Sequence, residues 1–146
     1  MSIAASPMRD WVLVVDDDAG ARMTMEAILA DDFGVALASG PPDALVQLAH
    51  KEFIVVVTDE EMPDGSGLAL LADMQRRFPL VVGLLVTGHS EYTTVQAAMR
   101  NLHGANVVIK PYDPDMLLRQ VRNAATMARM RRATSRLAAK TGARPR

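Results

Sequence analysis

The feature that most constrains this chain is a short apolar segment that ends abruptly in acidic residues, FIVVVTDEEMPDG at positions 53–65. Its apolar part, residues 53–57, is too short for a typical helix and rich in Val, so it predicts a buried β-strand. Pro63 and Gly65 then predict a turn. The strand therefore carries Asp59 to the C-terminal edge of a sheet, where open α/β sheets bind their ligands.

Four other apolar segments predict further strands, at residues 11–15, 33–38, 80–86 and 107–109. The second of them alternates weakly between apolar and small residues, as suits an edge strand. Segments with one apolar face at helical spacing separate the strands. This alternation predicts an α/β fold, in which a parallel sheet is covered by helices on both faces. We expect one domain, because 146 residues suffice for a single core and no linker precedes about residue 130.

The predicted helices begin at recognisable capping residues. Ser66 and Ser90 are candidate N-caps for the third and fourth helices, and Asp113 precedes a proline at the start of the fifth. Pro79 ends the third helix. The expected inward face of the fourth helix comprises Val95, Ala98, Met99 and Leu102.

Composition excludes several classes of function. No apolar run is long enough to span a membrane, and the first ten residues lack the apolar core of a signal peptide. The absence of cysteine excludes disulfides, thiolate metal sites and a cysteine nucleophile. These observations favour a cytoplasmic protein without membrane partners.

Reactive side chains follow four of the five predicted strands, namely Asp16 and Asp17, Asp59, Thr87 and Lys110. Because parallel strands end at the same edge, we expect these side chains to lie together. Two carboxylates about 4 Å apart repel by about 4 kcal/mol at an effective dielectric near 20. Lys110 supplies one compensating charge, and a hard cation such as Mg²⁺ supplies two more. The set suits phosphoryl transfer to a carboxylate.

In this combination and order, the residues resemble the receiver domains of bacterial two-component response regulators, the CheY-like family. The segments that carry the resemblance are VLVVDDD, TDEEMPDGSGL, LVTGH and GANVVIKP, which lie between about Asp10 and Met127. The resemblance implies a flavodoxin-like (βα)5 doubly wound parallel sheet with strand order 2-1-3-4-5. It also implies a cis peptide bond between Lys110 and Pro111.

The resemblance assigns roles to the acidic residues. It implies that a sensor histidine kinase or a histidine phosphotransfer protein phosphorylates Asp59. Asp17 and Asp59 would bind Mg²⁺ directly, and Asp16 would act largely through water. The main-chain carbonyl of Glu61 would be a further ligand. Such a domain is a phosphoacceptor that assists its own phosphorylation and dephosphorylation rather than an enzyme acting on a separate substrate.

The resemblance also implies a switch, in which Lys110 pairs with the phosphoryl group and Thr87 follows it. The surface around the fourth helix, fifth strand and fifth helix would then change and regulate a partner. Receiver domains usually carry an aromatic residue three positions before the lysine, where this chain has Val107. We interpret Tyr112 as a packing residue rather than a substitute for that aromatic.

Two further residues are candidates for tuning the lifetime of the phosphoryl group. Glu61 and His89 each lie two positions after a site residue, Asp59 and Thr87 respectively. In receiver domains these positions flank the path of the hydrolytic water, and histidine titrates near neutral pH. The alternative interpretation, that both are solvated loop side chains, is equally compatible with the sequence.

The charge distribution separates an acidic body from a basic C-terminus. Residues up to Leu118 contain 17 acids and 7 Lys or Arg, a net charge of −10, whereas residues 119–146 carry 9 basic residues and no acid. We divide the chain into an N-terminal extension (1–9), a receiver domain (10–128) and a basic helix extension with tail (129–146). Residues after about Met130 are predicted to contribute little to folding.

The apolar stripe of the last helix supports this division. Leu117, Val121, Ala124 and Ala128 should pack on the sheet, and the same stripe then meets arginines. A second line comprises Met127, Met130, Thr134 and Leu137. It is compatible with a homodimer seam, a signalling helix toward a missing output domain, or a frayed end. Specific nucleic-acid binding is not expected, because the tail lacks aromatic residues and a second recognition helix.

Two other functions remain as alternatives. A small aspartate-nucleophile phosphatase also places an aspartate after a buried strand, but it usually has a second acid as Asp-x-Asp, where this chain has Glu61. A pseudo-receiver used only for docking is the other alternative, and the complete set of acids argues against it.

Overall fold

The computed structural model of the chain describes residues 9–88, 92–100, 102 and 105–141. The strands are β1 (Trp11–Val15), β2 (Gly34–Ala38), β3 (Val55–Asp59), β4 (Glu61–Met62), β5 (Gly65–Ser66), β6 (Val82–Thr87) and β7 (Asn106–Ile109). The helices are α1 (Ala19–Leu29), α2 (Pro41–His50), α3 (Gly67–Arg77), α4 (Tyr92–Met99) and α5 (Pro114–Thr141).

The five longer strands form one parallel sheet in the order β2-β1-β3-β6-β7. When the two-residue strands β4 and β5 are left out of the count, this is the predicted flavodoxin-like order 2-1-3-4-5. Helices α1 and α5 pack on one face of the sheet, and α2, α3 and α4 pack on the other. β3 and β6 are buried along their whole length, which explains their nearly continuous apolar sequences.

A short antiparallel hairpin, β4–β5, stands where the sequence predicted only a turn. Glu61 pairs with Ser66 and Met62 pairs with Gly65, whose φ of +142° favours glycine. The next residue, Gly67, lies so close to β3 that an added Cβ would be 2.3 Å from the main-chain oxygen of Asp59. The hairpin therefore returns the chain directly from the end of β3 to the start of α3.

Two predicted strands begin two residues later in the structure than the sequence indicated. Phe53 and Ile54 are buried but precede β3, and Leu80 lies 37% exposed before β6. The Ile54 amide still donates to the carbonyl of Trp11 at 2.8 Å. Before β3, burial therefore begins ahead of the regular strand pairing, whereas Leu80 is apolar without being buried.

The observed N-cap of α3 agrees with the sequence. The Ser66 hydroxyl accepts a hydrogen bond from the Ala69 amide at 3.0 Å, as an N-cap of α3 does. Ser90 lies outside the described residues. In α4, Val95 and Met99 are buried, but Ala98 is exposed, so the predicted inward face was one residue too wide.

Helix α5 is longer than the domain that it covers. Its sheet-facing stripe is buried as predicted, and Ala128 is its last buried residue. The helix nevertheless continues, and two arginines beyond Met130 contact the body. Arg132 donates to the carbonyl of Phe53 at 2.9 Å, and Arg131 donates to that of Pro79 at 3.4 Å. The prediction that residues beyond Met130 contribute little therefore needs correction, because long side chains reach the body where the apolar stripe has ended.

None of the helices in the described part of the chain is both long and apolar enough to cross a membrane.

Candidate functional site

The C-terminal edge of the sheet brings the predicted acidic residues together. Asp16 directly follows β1, Asp59 ends β3, and the parallel register aligns the two strand ends. Asp16, Asp17 and Asp59 each offer a carboxylate oxygen that lies within 4.8 Å of the others. Asp16 and Asp59 are 2% and 8% exposed, whereas Asp17 is exposed.

This donor set fits a hard divalent cation. Carboxylate oxygens are the ligands that Mg²⁺ prefers, and Mg²⁺ usually keeps several of its waters. The exposed position of Asp17 opens the cluster to solvent on one side, so that water ligands have access. Without a cation, three carboxylates at this spacing repel one another strongly.

Lys110 is held against Asp59. Its Nζ lies 2.8 Å from Asp59 Oδ1, and its main-chain amide donates to the carbonyl of Thr87 at 2.8 Å. The Lys110–Pro111 bond is cis, as the resemblance implied. Burial alone would lower the pKa of Lys110, but its hydrogen bond to Asp59 and the charges of Asp59 and Asp16 outweigh burial and raise it. The ammonium group therefore stays charged beside the carboxylates.

The carboxyl of Asp16 lies in a less favourable environment for a charge. Burial raises its pKa most, and the nearby charges of Asp59 and Asp17 raise it further. A hydrogen bond from the Asp18 amide to Asp16 Oδ1, at 2.9 Å, and the charge of Lys110 act in the opposite direction. The net shift of the pKa is upward, chiefly because burial disfavours the charged form of the carboxyl.

Several residues that support the site were not identified from the sequence. The guanidinium of Arg22 donates to the main-chain carbonyl of Asp16 at 2.7 Å, and Asp18 caps α1 by accepting from the Ala21 amide at 2.7 Å. Asp18 was identifiable as an aspartate preceding a helical pattern. Arg22 carried no such signal, because its role depends on the fold of the β1–α1 turn.

The loop after Asp59 is held by Glu60. Its side chain accepts a hydrogen bond from the Leu68 amide at 2.9 Å, and its own amide donates to the Val86 carbonyl at 3.0 Å. Glu61 lies in β4 with an exposed side chain. His89, the other candidate for tuning, lies outside the described residues.

The residue at the usual aromatic position of the switch, Val107, and its possible substitute, Tyr112, lie on opposite faces of the sheet. Val107 packs with the core beneath α2, α3 and α4, whereas Tyr112 packs with the core beneath α1 and α5. Tyr112 therefore cannot replace an aromatic at position 107, which agrees with its interpretation as a packing residue. Burial raises its pKa, and Asp16 adds to that shift. Thr87 is 1% exposed at the end of β6.

The fold and this edge define a class of protein, the phosphoacceptor domains built on a five-stranded parallel sheet. The family model described as the response regulator receiver domain matches residues 12–122. The chain belongs to that family. Receiver domains are regulatory phosphoacceptors of two-component systems, and they work with histidine kinases and output domains.

Individual relatives agree with this membership. The chain is 34% identical over 107 residues to the transcriptional regulatory protein ZraR of Salmonella typhimurium, covering 73% of this chain and 24% of the relative. It spans about a quarter of the length of the curated relatives that it matches.

Solved structures give the same result. A response regulator receiver domain protein from Clostridium thermocellum superimposes with a TM-score of 0.75 at 26% identity, covering 83% of this chain and 98% of that one. NtrX from Brucella abortus, in a structure with ADP, gives 0.79 at 27% identity, covering 89% of this chain and 30% of that one.

Proposed function

We propose that this chain is a Mg²⁺-dependent phosphoacceptor that receives a phosphoryl group on Asp59. The donor would be a sensor histidine kinase or a histidine phosphotransfer protein. The observation that carries the proposal is the position of Asp59, which ends the central strand β3, lies beside two other carboxylates and is paired with Lys110 at 2.8 Å.

In the proposed transfer, a carboxylate oxygen of Asp59 attacks phosphorus and forms a new P–O bond. The P–N bond of the phosphohistidine breaks, and its electron pair goes to the imidazole nitrogen, which takes up a proton. A cation held by Asp16, Asp17 and Asp59, with the Glu61 carbonyl as a further ligand, would supply charge for the phosphoryl oxygens. Lys110 would supply a second positive charge at the same place.

The switching step would begin at Lys110. Phosphorylation converts the carboxylate of Asp59 into an acyl phosphate, so the ammonium group must turn from carboxylate to phosphoryl oxygen. The amide of Lys110 is bonded to the Thr87 carbonyl, so this movement acts on the ends of both β6 and β7. With Val107 in place of an aromatic, we propose that Thr87 and these strand ends move the α4-β7-α5 surface.

Other parts of the proposal concern the setting of the domain. Glu61 and His89 are candidates for controlling how fast water removes the phosphoryl group. The regulated partner would be a downstream protein or an output domain of a longer regulator, in the cytoplasm.

The two alternative functions differ from this proposal in a measurable way. A phosphatase would instead release phosphate from an ester substrate repeatedly, and a pure docking module would not be phosphorylated.

The test is incubation of the protein with Mg²⁺ and a small acyl phosphate, followed by intact-mass measurement and mapping of the modified residue. Wild type should gain one phosphoryl group, and Asp59→Asn should gain none while remaining folded. Asp64→Asn, an exposed acid in the adjacent hairpin, is the matched control and should label normally. Equal labelling of Asp59→Asn would reject the assignment. Repeated release of phosphate from p-nitrophenyl phosphate would favour the phosphatase.

A further inference from the structure

Glu60 lies between Asp59 and Glu61 in the sequence, but its side chain has different surroundings from theirs. The side chain of Glu61 is exposed, whereas Glu60 is half-buried. Glu60 Oε1 accepts a hydrogen bond from the Leu68 amide at 2.9 Å, and Leu68 lies in the first turn of α3. In the sequence this acid is one of three in a row, and the structure bonds it to the next helix.

The first turn of α3 explains why a further carboxylate is stable at this acidic edge. The first amides of a helix lack acceptors within the helix and carry partial positive charge. The Gly67 amide donates to the main-chain carbonyl of Glu60 at 2.9 Å, and the next amide, that of Leu68, donates to its carboxylate. The third amide, that of Ala69, donates to the Ser66 hydroxyl at 3.0 Å. Glu60 therefore accepts from two of these three amides.

Glu60 is also bonded to the sheet. Its amide donates to the carbonyl of Val86 in β6 at 3.0 Å, and Val86 is the residue that pairs with Asp59. The sheet thus holds Glu60 at its amide, and α3 holds it at its carbonyl and its carboxylate. The next residue along the chain is Glu61, whose main-chain carbonyl is a proposed ligand of the cation. The position of that carbonyl depends on the bonds that hold Glu60.

Among these bonds, the one made by the carboxylate depends on the residue type. The main-chain bonds of Glu60 can form with any residue other than proline at this position. The hairpin β4–β5 adds only two pairs of residues, Glu61 with Ser66 and Met62 with Gly65. A two-stranded ribbon this short is not stable by itself, so its position depends on its attachment to the domain. The carboxylate of Glu60 supplies such an attachment where the hairpin meets α3.

We propose that Glu60 is a positioning residue, whose bond to the Leu68 amide keeps the Glu61 carbonyl in place as a ligand of the cation. The inference rests on the proposed function, because it concerns the same metal site. Glu60 acts through the backbone and not as a ligand. The carboxylate cluster in the described part of the chain consists of Asp16, Asp17 and Asp59.

The first test compares two substitutions of Glu60 in the full-length chain by calorimetric titration with Mg²⁺. Glu60→Gln keeps the length of the side chain and its acceptor oxygen, whereas Glu60→Met keeps an unbranched stem and removes that oxygen. Glu60→Met should weaken Mg²⁺ binding by about fivefold or more, and Glu60→Gln should stay within about twofold of wild type. An equal loss in both variants would assign the effect to the charge and overturn the proposal.

The same titration separates failure of this inference from failure of the proposed function. If both Glu60 variants bound Mg²⁺ as wild type does, while wild type gained a phosphoryl group on Asp59, only the positioning role would be wrong. If wild type neither bound Mg²⁺ nor gained a phosphoryl group, the proposed function would be wrong and this inference would fall with it.

Ser66→Ala is the matched control for the stability of α3. It removes the other side-chain cap of the helix, the bond to the Ala69 amide, but leaves the carboxylate of Glu60 in place. It should lower the unfolding midpoint as Glu60→Met does, because a lost cap destabilises a helix. Its Mg²⁺ affinity should stay within about twofold of wild type. A loss of affinity equal to that of Glu60→Met would make helix stability the cause and overturn the proposal.

Hydrogen exchange at the Leu68 amide supplies a second measurement. Coupling between two positions is reciprocal, so a bond that favours metal binding is itself favoured when the metal is bound. Saturating Mg²⁺ should slow exchange of this amide by about threefold or more in wild type and in Glu60→Gln, and should have little effect in Glu60→Met. The same exchange rate with and without Mg²⁺ in wild type would overturn the proposal.

Discussion

At the scale of single residues, neighbouring aspartates in this chain meet different surroundings. Asp16 is buried and receives the Asp18 amide, whereas Asp17 is exposed and shares the cluster only through its carboxylate. Burial penalises the charge of Asp16, and mutual repulsion penalises all three acids. The same residues that favour a divalent cation therefore destabilise the fold when no cation is bound.

This balance gives a prediction for Asp17→Asn. The substitution should weaken Mg²⁺ binding by about tenfold or more, because it removes one ligand charge. It should also raise the unfolding midpoint without metal, by an amount worth less than about 1 kcal/mol, because Asp17 is exposed to solvent. Calorimetric titration with Mg²⁺ and thermal unfolding in a chelator would measure the two effects.

The control for this prediction is Asp64→Asn, which removes an exposed acid of the hairpin outside the carboxylate cluster. It should change neither the Mg²⁺ affinity nor the midpoint by a comparable amount. If Asp17→Asn bound Mg²⁺ as wild type does, Asp17 would be removed from the proposed metal site.

At the scale of elements, the join between β3 and α3 depends on the absence of a side chain at Gly67. A Cβ there would lie 2.3 Å from the Asp59 carbonyl oxygen and 2.6 Å from Leu85 Cδ1. The first contact is with backbone, so it cannot be relieved by turning a side chain. Helix α3 can begin this close to Asp59 only because position 67 is glycine.

Gly67→Ala should therefore destabilise the domain by about 2 to 3 kcal/mol, since overpacking against backbone forces the chain to shift. It should also slow phosphorylation, because the shift moves the backbone of Asp59. Chemical denaturation and the labelling assay would measure these effects. Gly88→Ala is the control for stability, because no atom lies within 4 Å of its added Cβ. Equal stability of Gly67→Ala and wild type would contradict the account of this join.

The elements also show which parts of the structure the sequence could predict. The alternation of apolar strands and amphipathic helices was enough for the five-stranded sheet, and the acids at strand ends were enough for the cluster around Asp59. The hairpin was missed because strands of two residues carry no periodicity. Arg22 and Arg132 were missed because their hydrogen bonds depend on which backbone carbonyl the fold brings within reach.

At the scale of the whole molecule, α5 belongs to two environments. Up to Ala128 it packs on the sheet, and beyond that point it contacts the body through the side chains of Arg129, Arg131 and Arg132. The carbonyl of Phe53, which accepts from Arg132, belongs to a residue that is only 1% exposed. A buried carbonyl that loses its donor raises the free energy of the folded state. We therefore expect residues up to Arg132 to stabilise the folded body, and residues after Arg132 to contribute little to its stability.

Two truncations would locate this division. A chain ending at Arg132 should unfold within about 0.5 kcal/mol of the full chain, because no residue from 133 to 141 belongs to either hydrophobic cluster of the core. A chain ending at Met130 should lose about 1 to 2 kcal/mol more, because the bond to Phe53 is removed. Both should accept a phosphoryl group on Asp59.

The full-length variant Arg132→Met identifies the cause of the difference. It keeps an unbranched apolar stem and a good helix former at this position but removes the donor to Phe53. It should reproduce most of the loss of stability seen between the two truncated chains. If Arg132→Met were as stable as wild type while the chain ending at Met130 was not, the hydrogen bond would not be the cause. In that case, the additional helical residues after Met130 would stabilise the body by lengthening α5, and not through the hydrogen bond to Phe53.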